Sequence, residues 1–174
     1  YFQDPLVTNN DILRRLRYTL NLNDDTVIKI FSHVEQSVTR EQISNWLKKE
    51  DDPNYHNCND NQLTHFLDGL ISERRGKKEG PLTKSEKKLN NNLIFTKLKI
   101  AFNLKAEDVL DILALADLSI SKHELSAFFR KKSHKHYRIC KDQILRNFLM
   151  GLQLKFRPPT PTEEAFNWPE KTDS

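Results

Sequence analysis

Apolar residues recur at intervals of three and four along this chain, in short runs separated by asparagine- and aspartate-rich breaks. That spacing belongs to amphipathic helices, and no stretch alternates apolar with polar as a half-buried strand would. Ile12, Leu16 and Leu20 define a first stripe, with Asn9 or Asn10 placed to cap its free N–H groups. Asn21 marks its stop, because asparagine tolerates the left-handed conformation that ends many helices. Asp24 and Asp25 open a second helix, their charge favoured at the positive end of its dipole, and Val27, Ile30 and Phe31 share its buried face. Thr39 and Gln42 have the spacing of a capping box, ahead of Ile43, Trp46 and Leu47. After a connection over 51–61, Leu63, Phe66, Leu67, Leu70 and Ile71 predict a long fourth helix.

The pattern then repeats. Sliding the sequence by 82 residues aligns 9–75 with 91–157 without a gap and gives 20 identities in 67 positions, the mark of a tandem duplication. The second copy carries its stripes as Ile94, Leu98 and Phe102; Val109, Ile112 and Leu113; Leu125, Phe128 and Phe129; and Leu145, Phe148, Leu149 and Leu152. The predicted fold class is therefore all-α: a tandem duplication of a four-helix repeat, the copies packed with pseudo-twofold symmetry. Residues 1–7 read as a lead-in opening on what looks like a cleaved-tag remnant, 8–75 as repeat 1, 76–90 as a linker, 91–157 as repeat 2 and 158–174 as a proline-rich tail. Phe166 and Trp168 in the tail either pack on the protein's own surface or form a short binding motif.

Charge separates the two copies where hydrophobicity does not. Residues 9–75 carry 9 Lys/Arg against 11 Asp/Glu, whereas 91–157 carry 13 against 6. An excess confined to one half implies a localised field, unless it is simply solvated helix surface. No apolar run approaches the ~20 residues of a membrane helix. Two cysteines are too few for a disulfide framework. A cytoplasmic protein with reduced thiols and no membrane partner is expected.

The segments NNDILRRLRY, ISNWLKKED, FLDGLISERRGK and NNNLIFTKLKIAFNLKAEDVL resemble the small bacterial family of YehS-like proteins, over roughly residues 8–157. The resemblance implies a cytoplasmic bacterial protein built from a duplicated helical domain of unknown function. No catalytic or binding residues come with it, and the tail lies outside it.

The densest repeated motif is Tyr-x-x-Cys-x-Asp-x-x-Leu-x-x-Phe-Leu-x-Gly-Leu, from Tyr55 and again from Tyr137. Cys58 and Cys140 invite a nucleophile or redox reading, with Tyr55 and Tyr137 as proton donors. A reactive thiolate needs a base or cation beside it, and the histidines do not repeat: His56 and His65 correspond to Arg138 and Asn147. The architectural reading explains more. Asp60 and Asp142 sit where the fourth helix of each copy begins, as N-caps; each cysteine serves as a small buried apolar residue. Gly69 and Gly151 lie inside helical patterns, where glycine costs ~1 kcal/mol relative to alanine. Their retention predicts a close approach by a backbone or a bulky ring, and a cost of ~1–3 kcal/mol for leucine at either site. His134, His136 and Cys140 lack the tight pairs of a zinc site, and repeat 1 has Asp52, Asn54 and Cys58 in their place. No catalytic residue, metal or cofactor is assigned.

Two features point to nucleic acid. Arg40, Gln42, Asn45 and Lys49 on or near the third helix are residue types that read bases or phosphates, although the connection over 34–38 lacks the usual glycine. The second is RKKSHKHYRICK, residues 130–141, with six Lys/Arg, two histidines and Tyr137. Arg130, Lys131, Lys132, Lys135 and Arg138 suit phosphate contact there, and Tyr137 suits base stacking; a solvated loop is the alternative. The expected function is non-catalytic binding, first of nucleic acid through the basic side of repeat 2. A protein-interaction module comes second and an unrecognised enzyme third.

Overall fold

A computed structural model describes residues 7–76 and 88–159, which form eight α-helices and no strand. Repeat 1 comprises α1 (Asn9–Thr19), α2 (Asp24–Ser32), α3 (Arg40–Leu47) and α4 (Asp60–Arg75); repeat 2 comprises α5 (Asn91–Ala101), α6 (Ala106–Leu115), α7 (Lys122–Ala127) and α8 (Asp142–Phe156). Residues 1–6 of the lead-in, most of the linker and the tail aromatics Phe166 and Trp168 lie outside the described residues.

Helix stops follow the duplicated sequence closely. Asn21 and Asn103 adopt φ of 52° and 54°, and the N–H groups of Leu22 and Leu104 reach back to the carbonyls of Arg17 and Lys99. These are Schellman ends, as asparagine at those positions predicts. Glu35 and Asp117 close α2 and α6 in the same left-handed way, with φ of 59° and 62°. Helix starts differ from expectation at two places. Thr8, not Asn9 or Asn10, caps α1 in a box with Asp11, and Asn90 caps α5. Likewise Asn59 and Lys141 are the N-cap residues of α4 and α8, while Asp60 and Asp142 are each the first helical residue. The displaced side chains are committed elsewhere, as described below. The Thr39–Gln42 box forms as predicted.

Within each copy the second helix packs on the fourth, α2 on α4 and α6 on α8. The glycines set that distance. A Cβ on Gly69 would lie 2.1 Å from the carbonyl oxygen of Ile30, and one on Gly151 would lie 2.1 Å from that of Ile112. The close approach is therefore by backbone, and any side chain at all would force the helices apart.

Between copies the pairing is reciprocal: α1 packs on α8 and α5 on α4, so each repeat lays its first helix on the other's last. That exchange is what a twofold relation between the copies requires. Polar groups cross the same seams. Lys97 on α5 meets Asp68 on α4 at 2.5 Å, and the equivalent Arg15 on α1 donates to Gln153 of α8 at 2.6 Å. Arg157 donates to the Tyr18 carbonyl at 2.7 Å and Arg74 to the Ala101 carbonyl at 3.0 Å, each a cation at the C-terminus of the other repeat's first helix. One core runs through both copies, with Phe31, Trp46 and Phe66 clustered in the first and Phe95, Phe128, Phe129 and Phe148 in the second.

Candidate nucleic-acid interface

The basic segment 130–141 joins α7 to α8 and is held at its return limb by Asn92. The Asn92 side chain donates to the carbonyls of Phe128 (3.0 Å) and Arg138 (2.7 Å) and accepts from the N–H of Cys140 (2.8 Å). Asn91 beside it donates to the Cys140 carbonyl (3.0 Å) and to Asp142 (2.6 Å). Repeat 1 uses the same clamp. Asn10 bonds the carbonyls of Trp46 and His56 and the N–H of Cys58, and Asn9 bonds the Cys58 carbonyl and Asp60. This is why neither asparagine caps its helix. Asn10 and Asn92 are buried, where their amides satisfy backbone groups that would otherwise be costly to leave unpaired. Asp142 also accepts the Val7 N–H, tying the lead-in of repeat 1 to repeat 2.

On this frame the cations face solvent. Lys131, Lys132, Lys135 and Arg138 are exposed, while Arg130 and Tyr137 are half-buried. Arg130 donates to Ser126 at 3.3 Å and approaches His134 at 3.5 Å. His134 and His136 stand with ring centroids 5.6 Å apart. None of Arg130, Lys131, Lys132, Lys135 and Arg138 pairs with a carboxylate among the described residues. Ile139, between Arg138 and the buried Cys140, is 72% exposed.

The repeat-1 candidates are placed otherwise. Arg40 is paired with Asp24 and Asp25 on α2, and the Gln42 amide closes the cap of α3 on Thr39. Asn45 is half-buried, and its carbonyl accepts from His56; Lys49 is exposed. The structure does not bring these four together with residues 130–141 through any contact among the described residues.

The family described as "Protein of unknown function (DUF1456)" matches twice, over residues 9–76 and 91–157. The chain belongs to the DUF1456 family. Each match covers one of the two helical repeats. The chain is also 44% identical to the uncharacterized protein YehS of Escherichia coli (strain K12) over 145 residues, 83% of this chain and 93% of that protein. No solved structure matches.

The cysteines of this DUF1456 pair are structural in their surroundings. Cys58 is 0% and Cys140 1% exposed. Burial, then the neighbouring Asp60 or Asp142, pushes each thiol up to about 12. That is the reverse of what an activated thiolate needs. Tyr55 is likewise raised, by burial first and then by Glu50 and Asp11. No group of three or more His, Cys, Asp or Glu among the described residues could hold a metal ion. No helix among them is long and apolar enough to cross a membrane.

The residues missed from sequence are Asn9, Asn10, Asn91 and Asn92 as positioning groups for the two loops, and Ile139 as an exposed apolar tip. The four asparagines are among the duplicated identities, and that was the available signal. Their partners lie 36–51 residues away and carry no side-chain signature, being mostly backbone carbonyls.

Proposed function

We propose that this DUF1456 protein is a non-catalytic, cytoplasmic nucleic-acid-binding protein that contacts phosphates through residues 130–141. The observation that carries this reading is the set of cations on that segment that form no ion pair with a carboxylate among the described residues, held on a loop whose return limb is fixed by the Asn92 clamp. Paired cations elsewhere give a contrast: Arg40 and Lys122 meet carboxylates. A fixed loop presenting open cations on a rigid scaffold suits backbone contact, and Tyr137 and the two histidines supply ring faces. A protein partner with an acidic surface is the second reading, favoured by Ile139, since a largely exposed isoleucine among charges suits a protein contact.

The test is a titration with labelled DNA and RNA across salt concentrations. If four cations contact duplex phosphates, log affinity against log salt falls with a slope of about −3 to −4. Reversing Lys131, Lys132 and Lys135 to glutamate abolishes most of the binding and leaves helicity and melting intact. The same reversal at Lys77, Lys78 and Lys84 of the linker is the control for nonspecific charge. Absence of binding at low salt, where the attraction is strongest, rejects the reading and leaves the protein-interaction module in front.

A further inference from the structure

A second basic feature lies away from residues 130–141, where the two repeats meet. Arg14, Arg17 and Tyr18 of α1, Asn21, Leu22 and Asn23 of the turn to α2, Leu47 at the end of α3 and Arg157 at the C-cap of α8 line an open cleft of about 560 Å³. That volume falls within the ~300–1,000 Å³ of small-molecule sites. Two of the three guanidinium groups come from α1 and the third from the C-cap of α8, each steered by a partner. Arg14 is braced by Asp11 at 2.9 Å and by the Lys48 carbonyl at 3.3 Å. Arg17 lies 3.7 Å from Asp24, a Coulombic contact too long for a hydrogen bond, and its Nε is buried, so a ligand would be met by its terminal Nη groups. Arg157 lies 4.0 Å over the Tyr18 ring and donates to the Tyr18 carbonyl, and no carboxylate pairs with it among the described residues.

We propose that this cleft binds a small phosphate-bearing anion. Three arginines line the cleft, two of them beside a carboxylate, and guanidinium forks match the several acceptor oxygens of a tetrahedral anion better than the two of a planar carboxylate. The duplication offers an internal contrast. The equivalent positions are Thr96, Lys99, Ile100, Asn103, Leu104, Lys105 and Phe129 of repeat 2 and Arg75 of repeat 1. Lys99 there is drawn over the Phe129 ring at 5.4 Å, and Ile100 is 46% exposed. The arginine cluster is thus a property of one end of the molecule and not of the repeated helix pattern. It shares no residue with the proposed nucleic-acid loop, so either proposal stands if the other fails.

The experiment titrates the full chain at constant ionic strength with inorganic phosphate, with adenosine 5′-monophosphate and with adenosine, read by calorimetry and by amide chemical shifts. Phosphate binds saturably, with shifts in α1 and at Arg157, and adenosine does not. Competition by the monophosphate identifies a phosphate ester as the ligand class; its failure to compete identifies a free-anion site. Arg17→Gln and Arg157→Gln each lower phosphate affinity at least tenfold, Arg157→Lys recovers only part of it, and the triple lysine reversal in 131–135 leaves it unchanged. Arg17→Gln keeps the test decisive if loss of the Tyr18 contacts at Arg157 impairs folding. Lack of saturation in the unmodified protein, or loss on reversing the loop lysines but not on substituting the arginines, overturns the proposal.

Discussion

Residues 48–59 and 130–141 are the same loop written twice, and they have opposite surfaces. Both leave a third helix, reach a buried cysteine and enter a fourth helix, and both are pinned by an Asn-Asn pair to equivalent backbone atoms. Repeat 1 presents Lys48, Lys49, Glu50, Asp51 and Asp52, whereas repeat 2 presents six Lys/Arg and no carboxylate. The clamp explains how both can be true. Its hydrogen bonds go almost entirely to carbonyls and N–H groups, so it holds the loop's path without constraining its side chains. The repeated motif therefore reports architecture, and function is to be sought where the copies differ.

The largest effect tests the shared part. Because a Cβ at Gly69 or Gly151 meets a carbonyl oxygen at 2.1 Å, alanine alone should open the helix pair. Gly69→Ala and Gly151→Ala are each expected to cost about 3 kcal/mol, at the top of the range for overpacking. Leucine at either site is expected to prevent folding, a harsher outcome than the sequence alone suggested. Urea unfolding of the two alanine variants measures this. Equal costs confirm that the copies share one packing solution; a mild loss at one site alone would show that their helix contacts are not equivalent.

Next come the clamps. Asn10→Ala and Asn92→Ala each strand a buried cysteine N–H and two carbonyls, for an expected cost of about 2–3 kcal/mol. Thiol labelling, slow in the parent because both cysteines are buried, should accelerate at Cys58 in the first variant and at Cys140 in the second. The comparison sharpens in a binding assay. Asn92→Ala should weaken nucleic-acid affinity by releasing the basic loop, while Asn10→Ala should leave it unchanged. Equal loss in both would detach binding from the repeat-2 loop.

Much of this was legible in the sequence because duplication doubles every signal. The stripes, the left-handed stop at Asn21 and the close approach at the glycines all depend on residue type and local spacing, and all formed. The roles of Asn9, Asn10, Asp60 and Asp142 were misread for a physical reason. A helix N-cap and a long-range clamp both want a short side chain with a polar tip beside a helix start, and only the distant carbonyls decide between them. The arginine-lined cleft was hidden differently, since Arg14 and Arg17 share a cleft with Arg157 only when the last helix of one copy docks on the first helix of the other.

The smallest effect asks how evenly the two copies tolerate strain. Glu35 and Asp117 occupy equivalent left-handed positions after α2 and α6, with φ of 59° and 62°. Side chains with a Cβ resist this conformation, but aspartate less than glutamate, because its short carboxylate can bond the local backbone. Glycine removes the penalty and returns part of the gain through its greater freedom in the unfolded chain. Glu35→Gly should therefore stabilise by about 1 kcal/mol and Asp117→Gly by about half that, against strain of ~1–3 kcal/mol per such residue. For a domain of this length the first corresponds to a rise of about 2–4 °C in melting temperature. Both residues are exposed, so no packing change obscures the result. A larger gain at Asp117 would mean that the side chain, and not the backbone conformation, sets the strain at these two turns.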